Sequence, residues 1–329
     1  MEQFALTILG TLFASLSQVL FGKMFSEGGS FMKTSLSFVI FSGIILMLFF
    51  GCGGGGDSGV GSGTLSIDIT DAMSMLPDGT TEVNVTIEAV FVHKKGGGWV
   101  ECDLIEQPFT VNLLDWQSGN TTVLVPDCQL EPGDYTKVRF SISDANIVID
   151  QNAETVHCVK VPSDSLKTDK NFNFEVENGG FVALTADFDP GQSIVEAGEP
   201  GGCSYLIKPV IHLLLTHKAA TICGSIAEDT FVGDSPQEGV VTVTWDENSD
   251  GSIDESEIYT HVKVVNINEP TTDFCIFWVD PNEDFNVVVE VDDGDELIEV
   301  LDELVYSRDL LELSKGEPFR LNGGDPIYQ

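Results

Sequence analysis

Basic residues are scarce: 15 Lys and Arg stand against 53 Asp and Glu, a formal net charge of −38 over 329 residues. So negative a chain repels nucleic-acid backbones and anionic bilayer surfaces, which excludes both as main partners and favours cations. Histidine is sparse too, and His93, His157, His212, His217 and His261 are scattered. No CxxC, CxxCH, HExxH or GxSxG occurs, so zinc ribbons, haem attachment, zincin and hydrolase-elbow chemistry drop out. Acid pairs such as Asp187/Asp189 are expected by chance among 28 Asp and 25 Glu. The chain therefore reads as non-enzymatic. Hydrophobic residues at 42% are too many for a disordered acidic protein, and the length suits about two domains.

Long apolar runs are confined to the N-terminus, at Phe4–Phe21 and Leu36–Phe50. Met32-Lys33 gives the second run a short positive start, and Gly51-Cys52 follows it with a small residue and a cysteine. That is the layout of a secretory signal, and its end resembles the lipobox of bacterial lipoproteins. The resemblance implies that Cys52 is lipidated and becomes the new N-terminus; Phe49 and Phe50 stand where Leu and a small residue are usual. The alternative is an uncleaved transmembrane anchor. Residues 1–31 read as an upstream extension, 32–51 as a lipoprotein signal peptide, and 52–63 as the lipidated cysteine and a Gly-rich tether. If Met32 is not the start, the two runs would form a short membrane hairpin. The tether's eleven residues, Gly53–Gly63, give an r.m.s. reach of roughly 18 Å. An exported protein, lipid-anchored to the cell envelope, is expected. Gly53 after the cysteine, in place of Asp, points by the same resemblance to the outer membrane if the host is Gram-negative.

Beyond Cys52 lie six cysteines: Cys102, Cys128, Cys158, Cys203, Cys223 and Cys275. An even number in an exported chain suggests disulfides, the alternative being buried free thiols. Sequential pairing (Cys102–Cys128, Cys158–Cys203, Cys223–Cys275) is preferred among the possible pairings because it keeps each bridge within one proposed domain.

From Thr64 onward the pattern is alternation. Leu65-Ile67-Ile69, Val83-Val85-Ile87, Val90-Val92, Val111-Leu113 and Val138-Phe140-Ile142 each place apolar side chains on one face of a strand. Turn clusters such as Gly96-Gly97-Gly98, Pro132-Gly133-Asp134 and Asn178-Gly179-Gly180 separate them. An all-β protein of two antiparallel β-sandwich domains is predicted, at 64–215 and 222–329. The motifs Thr70-Asp71-Ala72, VNVTIEAVFVHKKGGGWVE at Val83–Glu101, VNLLDW at Val111–Trp116, LEPGDYTKVRF at Leu130–Phe140 and ADFDPGQSIV at Ala186–Val195 resemble an uncharacterised bacterial family, domain of unknown function 4382. The likeness covers about residues 63–215. It implies an exported lipoprotein and transfers no catalytic residue. Cys223-Gly224-Ser225-Ile226, Glu238-Gly239-Val240-Val241 and FCIFWVDPNEDFNVVVEV at Phe274–Val291 resemble the carboxypeptidase regulatory-like (transthyretin-like) β-sandwich, a non-catalytic module. Leu297–Leu311 fits either a short helix or a bent strand.

Trp99, Trp116, Trp245 and Trp278 offer flat faces to sugar rings or, more ordinarily, fill the core; Trp278 is the strongest core candidate. The sharpest motif is Asp246–Glu257, DENSDGSIDESE, which satisfies D-x-[DN]-x-[DN]-G-x₅-E in full. Calcium prefers six to eight oxygens, and this pattern would supply Asp246, Asn248, Asp250, the Ser252 carbonyl, Asp254 and Glu257, with Gly251 at the sharp turn. Its flanks Val240–Trp245 and Ile258–Val265 alternate as strands, so a structural Ca²⁺ loop between strands is expected. The alternative is a solvated acidic hairpin. Taken together, the residues predict a lipid-anchored, non-enzymatic envelope protein with a calcium-stabilised binding or display module, partnered by the membrane through its anchor and by a surface glycan or envelope protein, with no nucleic acid. A carbohydrate-binding or adhesive accessory protein is the second reading and a hydrolase the third.

Overall fold

The structure is a computed structural model that describes residues 61–71, 76–150, 154–161, 165–167, 172–196, 198, 202–207, 211–231, 237–245, 258–267, 269–292, 297–314 and 316–328. The described chain is mostly strand. The first part runs β1 (Gly63–Asp71), β2 (Thr80–Lys94), β3 (Trp99–Cys102), β4 (Phe109–Asn112), β5 (Thr122–Leu130), β6 (Gly133–Asp150) and β7 (Glu154–Lys160). It continues through β8 (Ser165–Lys167), β9 (Phe174–Val176), β10 (Phe181–Phe188), a one-turn helix α1 (Pro190–Ser193), β11 (Ile194–Glu196), β12 (Tyr205–Ile207) and β13 (Ile211–Leu215). One sheet has the order β13-β10-β1-β5; the other runs β11-β12-β7-β6-β2-β3, with β4 on β2 and β8 and β9 on β6. Leu65, Ile67, Ile69, Val85, Tyr135, Phe140 and Phe188 lie in the core between them.

The second part runs β14 (Ala220–Ala227), β15 (Gln237–Thr244), β16 (Ile258–Asn266), β17 (Thr271–Val279), β18 (Phe285–Asp292), β19 (Leu297–Val305), α2 (Ser307–Glu312) and β20 (Phe319–Arg320). Sheets β17-β14-β20 and β16-β15-β18-β19 enclose a separate core around Ile222, Val241, Val243, Tyr259, Phe285 and Val289. Pairing is mostly antiparallel, but β1 with β10, β7 with β12 and β14 with β20 run parallel. Leu297–Leu311 resolves into both elements that its spacing allows, with β19 giving way at Tyr306 to helix α2.

Local irregularities have physical causes. The apolar phase in β2 slips between Ile87 and Val90, and the register with β6 shifts at that point; a bulge lets Val83–Ile87 and Val90–Val92 face one core from a single strand. Leu113, expected as a strand residue, opens a 3-10 turn at Leu113–Trp116 that Asn112 caps through its side chain. Trp278, expected in the core, is half-buried: its φ of 59° breaks the alternation, so Phe277 and Trp278 are both only partly covered. All three disulfides form in sequential order. Cys102–Cys128 ties β3 to β5 across the first sandwich, and Cys223–Cys275 joins opposed residues of β14 and β17.

Candidate functional site

The outward face of the first sandwich's smaller sheet should be polar and wet, yet from Leu184 to Phe188 every residue of β10 is buried. The second sandwich covers it. Asp187 stands there in register between Thr70 of β1 and His212 of β13. The His212 ring stacks on Tyr259 of β16, with centroids 4.2 Å apart and planes at 19°. The Tyr259 carbonyl accepts from Gln192 Nε2 at 2.7 Å and from His212 Nε2 at 3.1 Å, which places the imidazole proton on Nε2. From the loop before β5, Gly119 approaches so closely that a Cβ there would lie 2.7 Å from the Phe277 ring.

Beside this contact opens a cleft of about 350 Å³, within the size range of small-ligand sites. Trp245 stands edge-on to His212 and Tyr259 at 5.7 and 5.1 Å, and Asn173, Lys218, Asp280 and Glu283 supply polar groups. The rim turn is fixed by Asp280 Oδ1, which accepts from the Asn282 backbone at 3.0 Å and its amide at 2.8 Å. Two of its lining residues bracket the β15–β16 connection in sequence, Trp245 before it and Tyr259 after it.

Beneath the contact are three buried carboxyls: Asp71, Asp187 and Asp189, at 2%, 2% and 0% exposure. Asp189 is served by Gln192, whose backbone N–H and side-chain amide each donate at 3.0 Å. Asp71 Oδ2 accepts from Gln117 Nε2 at 2.8 Å, but its Oδ1 has no hydrogen-bond partner. Burial pushes the Asp71 carboxyl well above the usual carboxylate range; the Gln117 hydrogen bond opposes this, and Asp187 and Asp189 add to it. The Asp187/Asp189 pair, dismissed in the sequence as chance, is thus part of the junction. Its strand phase puts Asp187 opposite the core residues Ala186 and Phe188, so only the docked second sandwich buries it. Asp71 had a signal: it continues the core phase of Leu65, Ile67 and Ile69.

The other residues singled out in the sequence fall as follows. Cys52 and the proposed calcium ligands Asp246, Asn248, Asp250, Ser252, Asp254 and Glu257 lie outside the described residues. The strands flanking 246–257, β15 and β16, pair antiparallel, in place of the helices of an EF-hand. Among the described residues no group of three His, Cys, Asp or Glu side chains is placed to hold a metal, and no helix is long and apolar enough to cross a membrane. His93 and His261 have ordinary partners, Thr136 Oγ1 at 3.1 Å and Thr242 Oγ1 at 3.0 Å. Arg139 sits 4.1 Å from the Trp99 ring centroid and occupies one face, while Trp116 packs on the first core. Of the four tryptophans Trp245 alone lines the larger cleft.

Residues 62–209 match the family described as Domain of unknown function (DUF4382). No curated protein matches the chain. Among solved structures, a putative adhesin from Bacteroides ovatus ATCC 8483 is similar at 9% identity, covering 80% of this chain and 94% of that one, with a TM-score of 0.22. The Bacillus anthracis TIE protein is similar at 11% identity and a TM-score of 0.17, over 78% of this chain and 33% of that one. The fimbrial anchor protein Mfa2 from Porphyromonas gingivalis is similar at 10% identity and a TM-score of 0.19, over 73% and 82%. At these scores none of the three informs the site or its ligand.

Proposed function

We propose that the chain is an exported, lipid-anchored envelope protein without catalytic activity, whose β-sandwiches bind or display a partner outside the cell. The observation that carries export is the pairing of every cysteine after Cys52 into a disulfide, chemistry that persists in oxidising compartments. The Gly51-Cys52 lipobox likeness supports the anchor, and the matched family over 62–209 agrees with the motifs that point to a lipoprotein. The second sandwich is read as a carboxypeptidase regulatory-like module. Labelling cells with radioactive palmitate tests the anchor: wild type takes label and Cys52→Ala does not. Equal label in both ends this reading.

Calcium at Asp246–Glu257 belongs to the same proposal. The ion would pin a hairpin connection whose six acidic residues otherwise repel one another, and external sites of this kind bind at ~10⁻⁴–10⁻³ M. Calorimetry of the full exported chain, beside Asp250→Ala and Glu257→Gln, is expected to show heat that the variants lose. No heat at several millimolar calcium refutes the loop.

The cleft at Trp245 favours a second reading, an accessory protein that binds carbohydrate. An aromatic side chain beside amides and carboxylates suits a sugar ring. An oligosaccharide array, repeated with Trp245→Ala, separates the two readings, since display needs no glycan at millimolar level.

A further inference from the structure

A second, smaller cavity of about 20 Å³ lies at the junction, lined by Asp71 from the first sandwich and by Thr260 and Trp278 from the second, among others. Each of these three residues carries a buried polar atom without a hydrogen-bond partner: Asp71 Oδ1, Thr260 Oγ1 and Trp278 Nε1. Asp71 and Thr260 are each 2% exposed, and leaving such atoms bare is costly. The three are chemically complementary. A carboxylate oxygen accepts, an indole N–H donates, and a hydroxyl does either. Gln117 already serves the other Asp71 oxygen at 2.8 Å. The rest of the wall includes Val262, Ile276 and Phe277, apolar side chains that give an ion no ligands. A buried water needs ~10–15 Å³ and two to four polar partners. This cavity offers that volume, little more, and three partners.

We propose that this cavity binds one structural water, which joins the two sandwiches through Asp71, Thr260 and Trp278. The water accepts from the Trp278 indole N–H and the Thr260 hydroxyl and donates to Asp71 Oδ1, so a single molecule satisfies all three. The site accounts for the backbone of Trp278. Its φ of 59° is rarely adopted by a bulky residue and persists only where the surroundings over-determine it. The indole that this conformation turns out of the second core supplies the donor. The Tyr259 hydroxyl holds the carbonyl of the same residue at 2.7 Å, so a chain of contacts runs from Asp71 through the water and Trp278 to Tyr259, which walls the larger cleft. The Tyr259 carbonyl already accepts from Gln192 and His212 of the first sandwich. The water adds a third polar link across the same junction, reaching the end of β1.

The competing account is a dry cavity, and the two predict opposite effects of one substitution. In a dry cavity Thr260→Val removes a bare buried hydroxyl and raises the melting temperature. With the water bound, it takes away one of three partners and lowers the melting temperature. A high-resolution crystal structure of the full exported chain reads the site directly, and it decides even where Thr260→Val fails to fold. One density peak is expected in the cavity, at hydrogen-bond distances of ~2.7–3.2 Å from Asp71 Oδ1, Thr260 Oγ1 and Trp278 Nε1. An empty cavity overturns the proposal, as does a peak out of reach of either sandwich. A Thr260→Val chain that melts at or above the wild-type temperature also overturns it.

Discussion

The Tyr259 hydroxyl donates to the Trp278 carbonyl at 2.7 Å, joining the edges of the second sandwich's two sheets. Tyr259 is 2% exposed, and burial above all, with Asp187, Asp280 and Asp189 nearby, holds its phenol well above the usual range. It therefore remains a donor in alkaline solution. Tyr259→Phe keeps the stack on His212 and removes only this bond, so a loss of ~0.5–1.5 kcal/mol is expected. Tyr259→Ala also empties the ring's place, and a loss of ~3–5 kcal/mol follows the cost of large aromatic deletions. Urea unfolding of both variants checks the difference; equal losses contradict the assignment of packing as the larger part.

Gly119 has φ +80° and faces the Phe277 ring. Gly119→Ala should destabilise by ~1–2 kcal/mol from the left-handed backbone alone, with a steric cost on top. Phe277→Ala removes the obstacle, so the two substitutions should couple by ~0.5–3 kcal/mol in a double-mutant cycle. Simple additivity would mean that the two sandwiches do not meet here in solution.

The legible parts of this molecule were those with a local cause. Leu65-Ile67-Ile69 and Val83-Val85-Ile87 announce strands because their period is two, and even the slip before Val90 is visible as a bulge. Cysteine parity, together with the domain split, pointed to the bridges that form. The junction was not legible. Asp187 and His212 lie on the phase that a solitary sheet would turn to water; Asp187 is instead buried and His212 half-buried, where His212 meets Tyr259 some 47 residues further along the chain. Nor does any local pattern foretell the positive φ at Trp278, which turns that ring out of the core. Trp245 was visible as an aromatic at a strand end, but its place in a cleft needed both sandwiches.

The bridges differ in shelter. Cys102 and Cys128 are 2% and 4% exposed, whereas Cys158 is exposed and Cys203 half-buried. Mild reductant is expected to open Cys158–Cys203 first, with alkylation and peptide mapping identifying the freed thiols. Replacing Cys102 and Cys128 by Ser frees a 26-residue separation, worth about 3.5 kcal/mol in chain entropy. Early labelling at Cys102 would contradict this order.

Asp284, the residue before β18, ties the start of that strand to helix α2. Its Oδ1 accepts from the Ser307 backbone N–H at 2.6 Å, at the start of α2, where the Tyr306 side chain makes no capping bond. That hydrogen bond, first among the causes, holds the Asp284 carboxyl below its ordinary value of 3.8. Between the folded and unfolded values the unfolded chain binds more protons, so stability rises with pH across that window. The contribution is present in full above about pH 4 and is lost as pH falls through the folded value. Asp284 is exposed, which screens the charge, so the low end of the ~0.5–2 kcal/mol range for helix caps applies. Urea midpoints of wild type and Asp284→Ala should differ at pH 7 and draw together at about pH 2, since a protonated Asp284 caps poorly. A gap that stays constant with pH would assign the loss to packing instead of the carboxylate.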